Sequence, residues 1–312
     1  MVWFSKRLER CFTLIEWVVA VALGSVLMVA IIWSVNRLVQ GGSRSVAESG
    51  MESDAWRVLD RLTIDAQSLL RLSGNRIFCS IRIPEDGWVP PFWRLEAGGM
   101  LKPDDRRIGS DVPWGSGFTE ERWGRTGAVW MGIGQGAAME PALQDTGPGV
   151  GAFSWYLCRM TLGSGLDARM AYCLMRGSAN AEETFRAAYD LEDPVLAASL
   201  YPETPDIEHV VGLNVIDFGV RLWGRDPTDG SMELVFPSAA TRFGSGWQIG
   251  LRGAPAPGSG AMVLEVFVRV LDSEGARLIH EIEAGTLRAD WWSIAERHSK
   301  VFSTRIPVEA ES

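Results

Sequence analysis

Nineteen consecutive residues without a charge, Trp17 to Val35, constrain this chain more than any other feature. As a helix rising ~1.5 Å per residue, such a run spans roughly 28 Å, close to the hydrocarbon thickness of a bilayer. A single carboxylate, Glu16, stands at its leading edge, and Lys6, Arg7 and Arg10 come just before. An acid inside a membrane segment costs about 2.5–3.5 kcal/mol or more unless a partner neutralises it. The sequence therefore poses one question first: what does Glu16 pair with?

The residues around it suggest an answer. A short basic leader, then Phe12-Thr13-Leu14-Ile15-Glu16, then some twenty apolar residues, resembles the class III signal of type IV pilins and type II secretion pseudopilins. The resemblance implies a cut between Cys11 and Phe12 by a prepilin peptidase and N-methylation of Phe12. It also implies that Glu16 neutralises the amine of a neighbouring subunit inside a filament. Cys11 stands where the family has glycine, and Trp17 where leucine is usual. A lipoprotein cysteine would come after the apolar run, whereas Cys11 precedes it.

The basic residues ahead of the run place the amino end in the cytoplasm, and the chain beyond the run is then exported. The run is too long for a signal-peptide core, and no small-x-small cleavage pattern comes after it, so a retained inner-membrane anchor is expected. The 312 residues carry a net charge of −9 with no basic block, which argues against nucleic acid as a partner. Apolar residues make up 46% and charged residues 22%, a composition that suits a folded body beyond the anchor.

The chain divides into three parts. Residues 1–11 are a leader. Residues 12–72 are an N-terminal helix, transmembrane over about 17–35. Residues 73–312 are an exported domain. Ala55, Leu59, Leu62, Ala66 and Leu69 recur at helical spacing and predict one apolar face, while Gly41, Gly42 and Gly50 are expected to weaken or bend the helix. Ile77, Cys79, Ile81 and Ile83 alternate as a strand, with Cys79 a core residue. Irregular loops rich in Trp, Pro and Gly are expected over 84–125. Hairpins are predicted at 152–162 with 168–176, at 216–222 with 232–236, and at 262–270 turning through 272–275 into 276–282. A short helix is read at 181–189, a loop at 240–260, a helix capped by Asp290 up to His298, and an edge strand at 302–308. The fold class is α+β: a long helix and then antiparallel hairpins, pilin-like in outline.

Cys158 and Cys173 lie at matching distances on either side of the 163–167 turn. They could face each other across the hairpin as a disulfide, and two unpaired sheet cysteines fit the spacing as well.

Catalytic and ligand-binding motifs are weak along the rest of the chain. Gly132, Gly134 and Ala137 fit G-x-G-x-x-A, but Pro141 stops the helix a nucleotide site needs, so a glycine-rich loop is expected there. His280-Glu281 starts like a zinc-protease helix, yet Ala284 occupies the second histidine position. No nucleophile elbow and no metal-ligand spacing occur in the sequence. The chain is read as non-catalytic, with no cofactor and no metal. Its fourteen tryptophans, Trp291-Trp292 and those between Trp88 and Trp123 among them, are expected mostly in packing.

The sequence reads as a structural minor subunit, most similar to the J-type pseudopilins and also to prepilin-type proteins of verrucomicrobial gene cassettes. Its expected partners are other pilin or pseudopilin subunits, prepilin peptidase, the inner membrane and secreted cargo. A membrane-tethered periplasmic module binding glycan or protein is the alternative.

Overall fold

The computed structural model describes residues 14–72, 76–85, 88, 93, 101–106, 122–135, 149–163, 168–202, 206–226, 229–250 and 262–308; side chains of α1 are described at 17–19, 21–29, 31 and from 49 on. The chain divides into two compact units, Met1–Gly50 and Met51–Ser312. The boundary falls inside the first helix, α1 (Leu14–Ser68), which continues through Gly41, Gly42 and Gly50. The helix is uninterrupted at these glycines. A glycine costs an exposed helix about 1 kcal/mol, which flanking helix formers can absorb.

The larger unit is built on two antiparallel sheets. After α1 come a two-stranded ribbon, β1 (Arg71–Leu72) and β2 (Arg76–Ile77), and then β3 (Cys79–Ile83) and β4 (Val129–Gln135). The long hairpin β5 (Val150–Leu162) and β6 (Arg169–Ala179) is next, with α2 (Ala181–Arg186), α3 (Pro194–Leu200) and β7 (Val210–Leu213) after it. Then come β8 (Val215–Arg225), β9 (Met232–Phe236), β10 (Arg242–Phe243) and β11 (Gly246–Ile249). The chain closes with β12 (Met262–Leu271), α4 (Ser273–Glu283), α5 (Trp291–Arg297) and β13 (Ser299–Val308). One sheet has the order β10-β11-β3-β4-β5-β6-β7 and the other β13-β12-β8-β9, and every pairing is antiparallel. The mixed class of helix and antiparallel sheet is the one the sequence pattern implies.

Two apolar clusters hold the unit together. The larger one joins Ala55, Leu59, Leu62 and Ala66 of α1 to Ile81, Trp130, Trp155 and Leu174 of the seven-stranded sheet and to Phe218, Val220, Val266 and Val268 of the four-stranded sheet. The smaller one lies on the opposite face of the seven-stranded sheet. There Met131, Ile133, Tyr156, Cys158, Cys173 and Met175 meet Leu196 and Leu200 of α3. This division comes from strand alternation: Trp155 and Leu157 point one way, Tyr156 and Cys158 the other.

Four expectations are corrected. Residues 276–282 are not the second arm of a hairpin but lie in α4. Asp272 caps that helix by accepting from the Gly275 N–H at 2.6 Å, and Arg277 bridges Glu274 and Glu281 on its exposed side. Helical spacing puts Ile279 and Ile282 into the core. Residues 240–260 are not all loop, since β11 pairs with β3 and extends the sheet. Gly132 and Gly134 lie in a central strand, β4, not in a loop. A Cβ on Gly132 would sit 2.5 Å from Leu69 Cδ2, and one on Gly134 2.2 Å from Ser68 Oγ, so glycine lets the end of α1 close onto β4. Finally, β8 of the hairpin predicted at 216–222 is buried on both faces and not on one, with Asp217 3.7 Å from the Lys102 Nζ.

Candidate assembly helix

The first described stretch of α1 carries Trp17, Val18, Val19, Val21, Leu23, Val26, Leu27, Met28, Val29 and Ile31 with exposed side chains; Trp17 is 65% exposed, Leu23 62% and Met28 67%. Soluble monomers rarely leave so continuous an apolar surface uncovered. Its polar side chain, Ser25, donates to the Val21 carbonyl at 2.8 Å, so it presents no unmet donor. Gly24 has open space around it. Among the described residues no helix is long and apolar enough to cross a membrane; within the apolar run the side chains at 20, 30 and 32–35 are not described.

From Met51 onward the same helix has an interior. Its apolar face is buried, and one acid, Asp65, is buried with it. Asp65 accepts from Arg176 Nε at 2.7 Å and Nη2 at 3.0 Å, and from Trp155 Nε1 at 2.8 Å. A bidentate guanidinium and an indole N–H together compensate the desolvated carboxylate. The helix end is then stitched to β4: the Leu70 N–H donates to the Ile133 carbonyl at 2.8 Å, and Leu69 bridges Gly134.

A second buried acid does the same for α4. Glu283 accepts from Arg159 Nε at 2.7 Å, the Tyr172 hydroxyl at 2.5 Å and Trp291 Nε1 at 3.0 Å. Burial first, then the charge of Glu283, holds the Tyr172 hydroxyl well above its usual pKa, so it stays a donor. A third cluster forms around Lys102, which is fully buried. Its Nζ donates to the Ile216 carbonyl at 2.6 Å, lies 3.7 Å from Asp217 and sits over the Trp292 ring. Burial pushes the Lys102 pKa down, and Asp217 opposes that push. Arg122 pairs with Asp105 and Glu296 and also stacks on Trp292.

Sequence reasoning missed all three clusters. Asp217 reads as a solvent-facing member of an alternating strand, and Lys102 lies in a stretch without pattern. The one legible hint was the Trp291-Trp292 pair, whose second ring covers both cations of the third cluster.

Of the residues singled out from sequence, Cys11 and Phe12 lie outside the described residues, and so does the Glu16 side chain. Cys158 and Cys173 are direct partners across β5 and β6, and both are buried free thiols. Burial first, then the neighbouring Cys173, pushes the Cys158 thiol up; burial pushes Cys173 up to about 12. Cys79 is a core residue, as expected, and accepts from Trp130 Nε1 at 3.1 Å. Trp93, Trp123, Trp291 and Trp292 are buried and offer no stacking platform for a sugar.

These observations define a class: a mixed helix and antiparallel-sheet body preceded, in sequence, by an apolar helical run with uncovered side chains. Residues 7–32 match the family described as Prokaryotic N-terminal methylation motif, a type IV pilin-like prepilin signal. A motif of this type implies processing by prepilin peptidase and assembly with other pilin subunits, and it suggests association with a membrane. No curated protein and no solved structure matches the chain.

Proposed function

We propose that this protein is a non-catalytic, minor structural subunit of a type IV pilin-like or type II secretion filament. It is made as a prepilin, cut between Cys11 and Phe12, and methylated on the new amine. Before assembly it is held in the inner membrane by about residues 17–35, with its amino end cytoplasmic and the 73–312 domain periplasmic. The observation that carries this reading is the methylation-motif match over 7–32, joined to a helical run whose apolar side chains have no cover of their own.

The physics of Glu16 fits the same picture. A carboxylate in apolar surroundings needs a countercharge, and the amine of Phe12 on a neighbour is a cation of the right sign. Each group alone would be costly, and together they fix the axial register between subunits. The large body, with two sheets, suits a J-type minor subunit that contacts other minor subunits or cargo.

The test compares Glu16→Ala and Glu16→Asp in cells, tracking processing and recovery in a sheared-filament fraction. Glu16→Ala is expected to be cleaved normally yet lost from filaments by about tenfold or more, with Glu16→Asp in between. Wild-type incorporation of Glu16→Ala would overturn the proposal.

A further inference from the structure

A lysine with no exposed surface is rare, because the ammonium keeps its head in water unless it is paired. Lys102 is such a lysine. The acid beside it, Asp217, is equally buried, and its Oδ1 lies 3.7 Å from the Lys102 Nζ. The main chain at Lys102 is pinned on both sides: its N–H donates to the Tyr172 hydroxyl at 3.2 Å, and its carbonyl accepts from Arg125 Nε at 2.9 Å. In β8, Asp217 stands opposite Arg269 and Val215 opposite Val270, so Ile216 is the extra residue of a bulge. A bulged residue is left out of the strand ladder. The Ile216 carbonyl accepts instead from the Lys102 Nζ, at 2.6 Å, which holds the amine against the neighbouring carboxyl.

Two opposite charges that leave water together can cancel by moving one proton between them. Burial pushes the Lys102 pKa down; Asp217 opposes that push and Arg269 adds to it. Proton transfer from Lys102 to Asp217 leaves an amine beside a carboxylic acid, the two reactants of an amide condensation. The Trp123 backbone N–H lies 3.2 Å from Asp217 Oδ2 and 3.4 Å from Oδ1. A fixed donor in that place favours negative charge on a carboxyl oxygen as its carbon becomes tetrahedral. The Trp292 ring, its centroid 5.2 Å from Nζ, and the buried Trp123 ring help to keep water out, and a dry site favours the loss of water. Holding the two groups in contact removes the entropic cost of bringing them together.

We propose that Lys102 and Asp217 are a self-modification site, joined in the mature protein by an intramolecular amide bond. The Nζ lone pair attacks Asp217 Cγ, and the carbonyl electrons move onto the oxygen beside the Trp123 N–H. As they return, the Cγ–OH bond breaks, the leaving hydroxyl takes one proton from Nζ, and water departs. One N–C bond replaces one C–O bond, with no net oxidation or reduction and no outside reagent. The product ties the 101–106 segment covalently to β8 and closes a loop between residues 102 and 217, which restricts the unfolded chain. The inference does not depend on the filament role.

The test is the mass of the full chain, extracted from the membrane fraction, reduced and denatured. Wild type is expected to be one water lighter than its own sequence, with its N-terminus mapped on the same sample. Proteolysis should release a branched peptide joining the Lys102 and Asp217 fragments, identified by tandem mass spectrometry. Lys102→Arg and Asp217→Ala should each show the full sequence mass and no branched peptide; the readout is made on denatured chain, so it holds even where a variant folds poorly. Asp229-Gly230 can also lose water, by closing on its own backbone, but a loss of that origin would persist in Asp217→Ala. Full sequence mass in wild type would overturn the proposal and leave a buried ion pair only. A water loss that survives Asp217→Ala without a branched peptide in wild type would overturn it as well.

Discussion

Two stretches of one helix meet opposite fates. Residues 17–31 and residues 51–69 both carry apolar side chains at high density. In the first stretch the described apolar side chains are exposed; in the second, Ala55, Leu59, Leu62 and Ala66 are sealed against two sheets. The difference lies in pattern, not in apolar content. The later stretch has one apolar face and a polar one, so a single docking event satisfies it. The earlier stretch is apolar all round, and no single surface of its own chain could cover it. On the proposed function its cover comes from lipid or from sister helices.

That contrast can be broken by substitution. The largest effect is expected at Asp65→Ala. It leaves Arg176 buried without its carboxylate and should cost about 3–5 kcal/mol, read as a fall in the denaturant midpoint of the 51–312 unit. A change under about 1 kcal/mol would mean the pair does not hold α1 in place. Leu62→Ala comes next, at about 2–5 kcal/mol, because it opens a cavity in a packed core. Its counterpart Val26→Ala should leave that same unfolding transition within about 0.5 kcal/mol, because that side chain is exposed and buries nothing on folding. Equal effects from the two would erase the distinction between the stretches.

The smallest effect concerns a cap far from the helix in sequence. Asp290 accepts from the Ser293 N–H at 2.7 Å, and its bonds to the Ser293 side chain and backbone hold its carboxyl below the ordinary 3.8. A depressed acid stabilises the fold above its unfolded pKa, and that gain is lost as pH falls through the lower folded value. Asp290→Ala should therefore cost about 1 kcal/mol at neutral pH. In thermal melts the gap from wild type should narrow as the pH drops below 3.8. A gap that does not narrow would remove the carboxylate from the account.

Much of this was legible in sequence, and the failures have a common cause. The α1 face, β8, β12 and the Asp290 helix were readable because periodicity and capping are local. The segment 276–282 misled because Ala276, Leu278, His280 and Ile282 alternate with charged or polar residues except at Ile279. The decisive helix signal was the Asp272 cap just upstream. Gly132 and Gly134 resembled a loop because their purpose, room for Leu69 and Ser68, lies on another element. Lys102, Asp217, Asp65 and Glu283 could not be distinguished from surface charges, because only the third dimension reveals their partners. The amino-terminal motif was readable for the opposite reason. Its information lies in order and spacing, which a processing enzyme must read along the chain.

The central claim is that the uncovered helical run begins a processed filament subunit. Intact-mass and N-terminal analysis of the protein recovered from the membrane fraction tests it most directly. The account predicts a chain that starts at Phe12 and carries one added methyl group on its amine. A chain that still bears Met1, or one that begins beyond Val35, would contradict it.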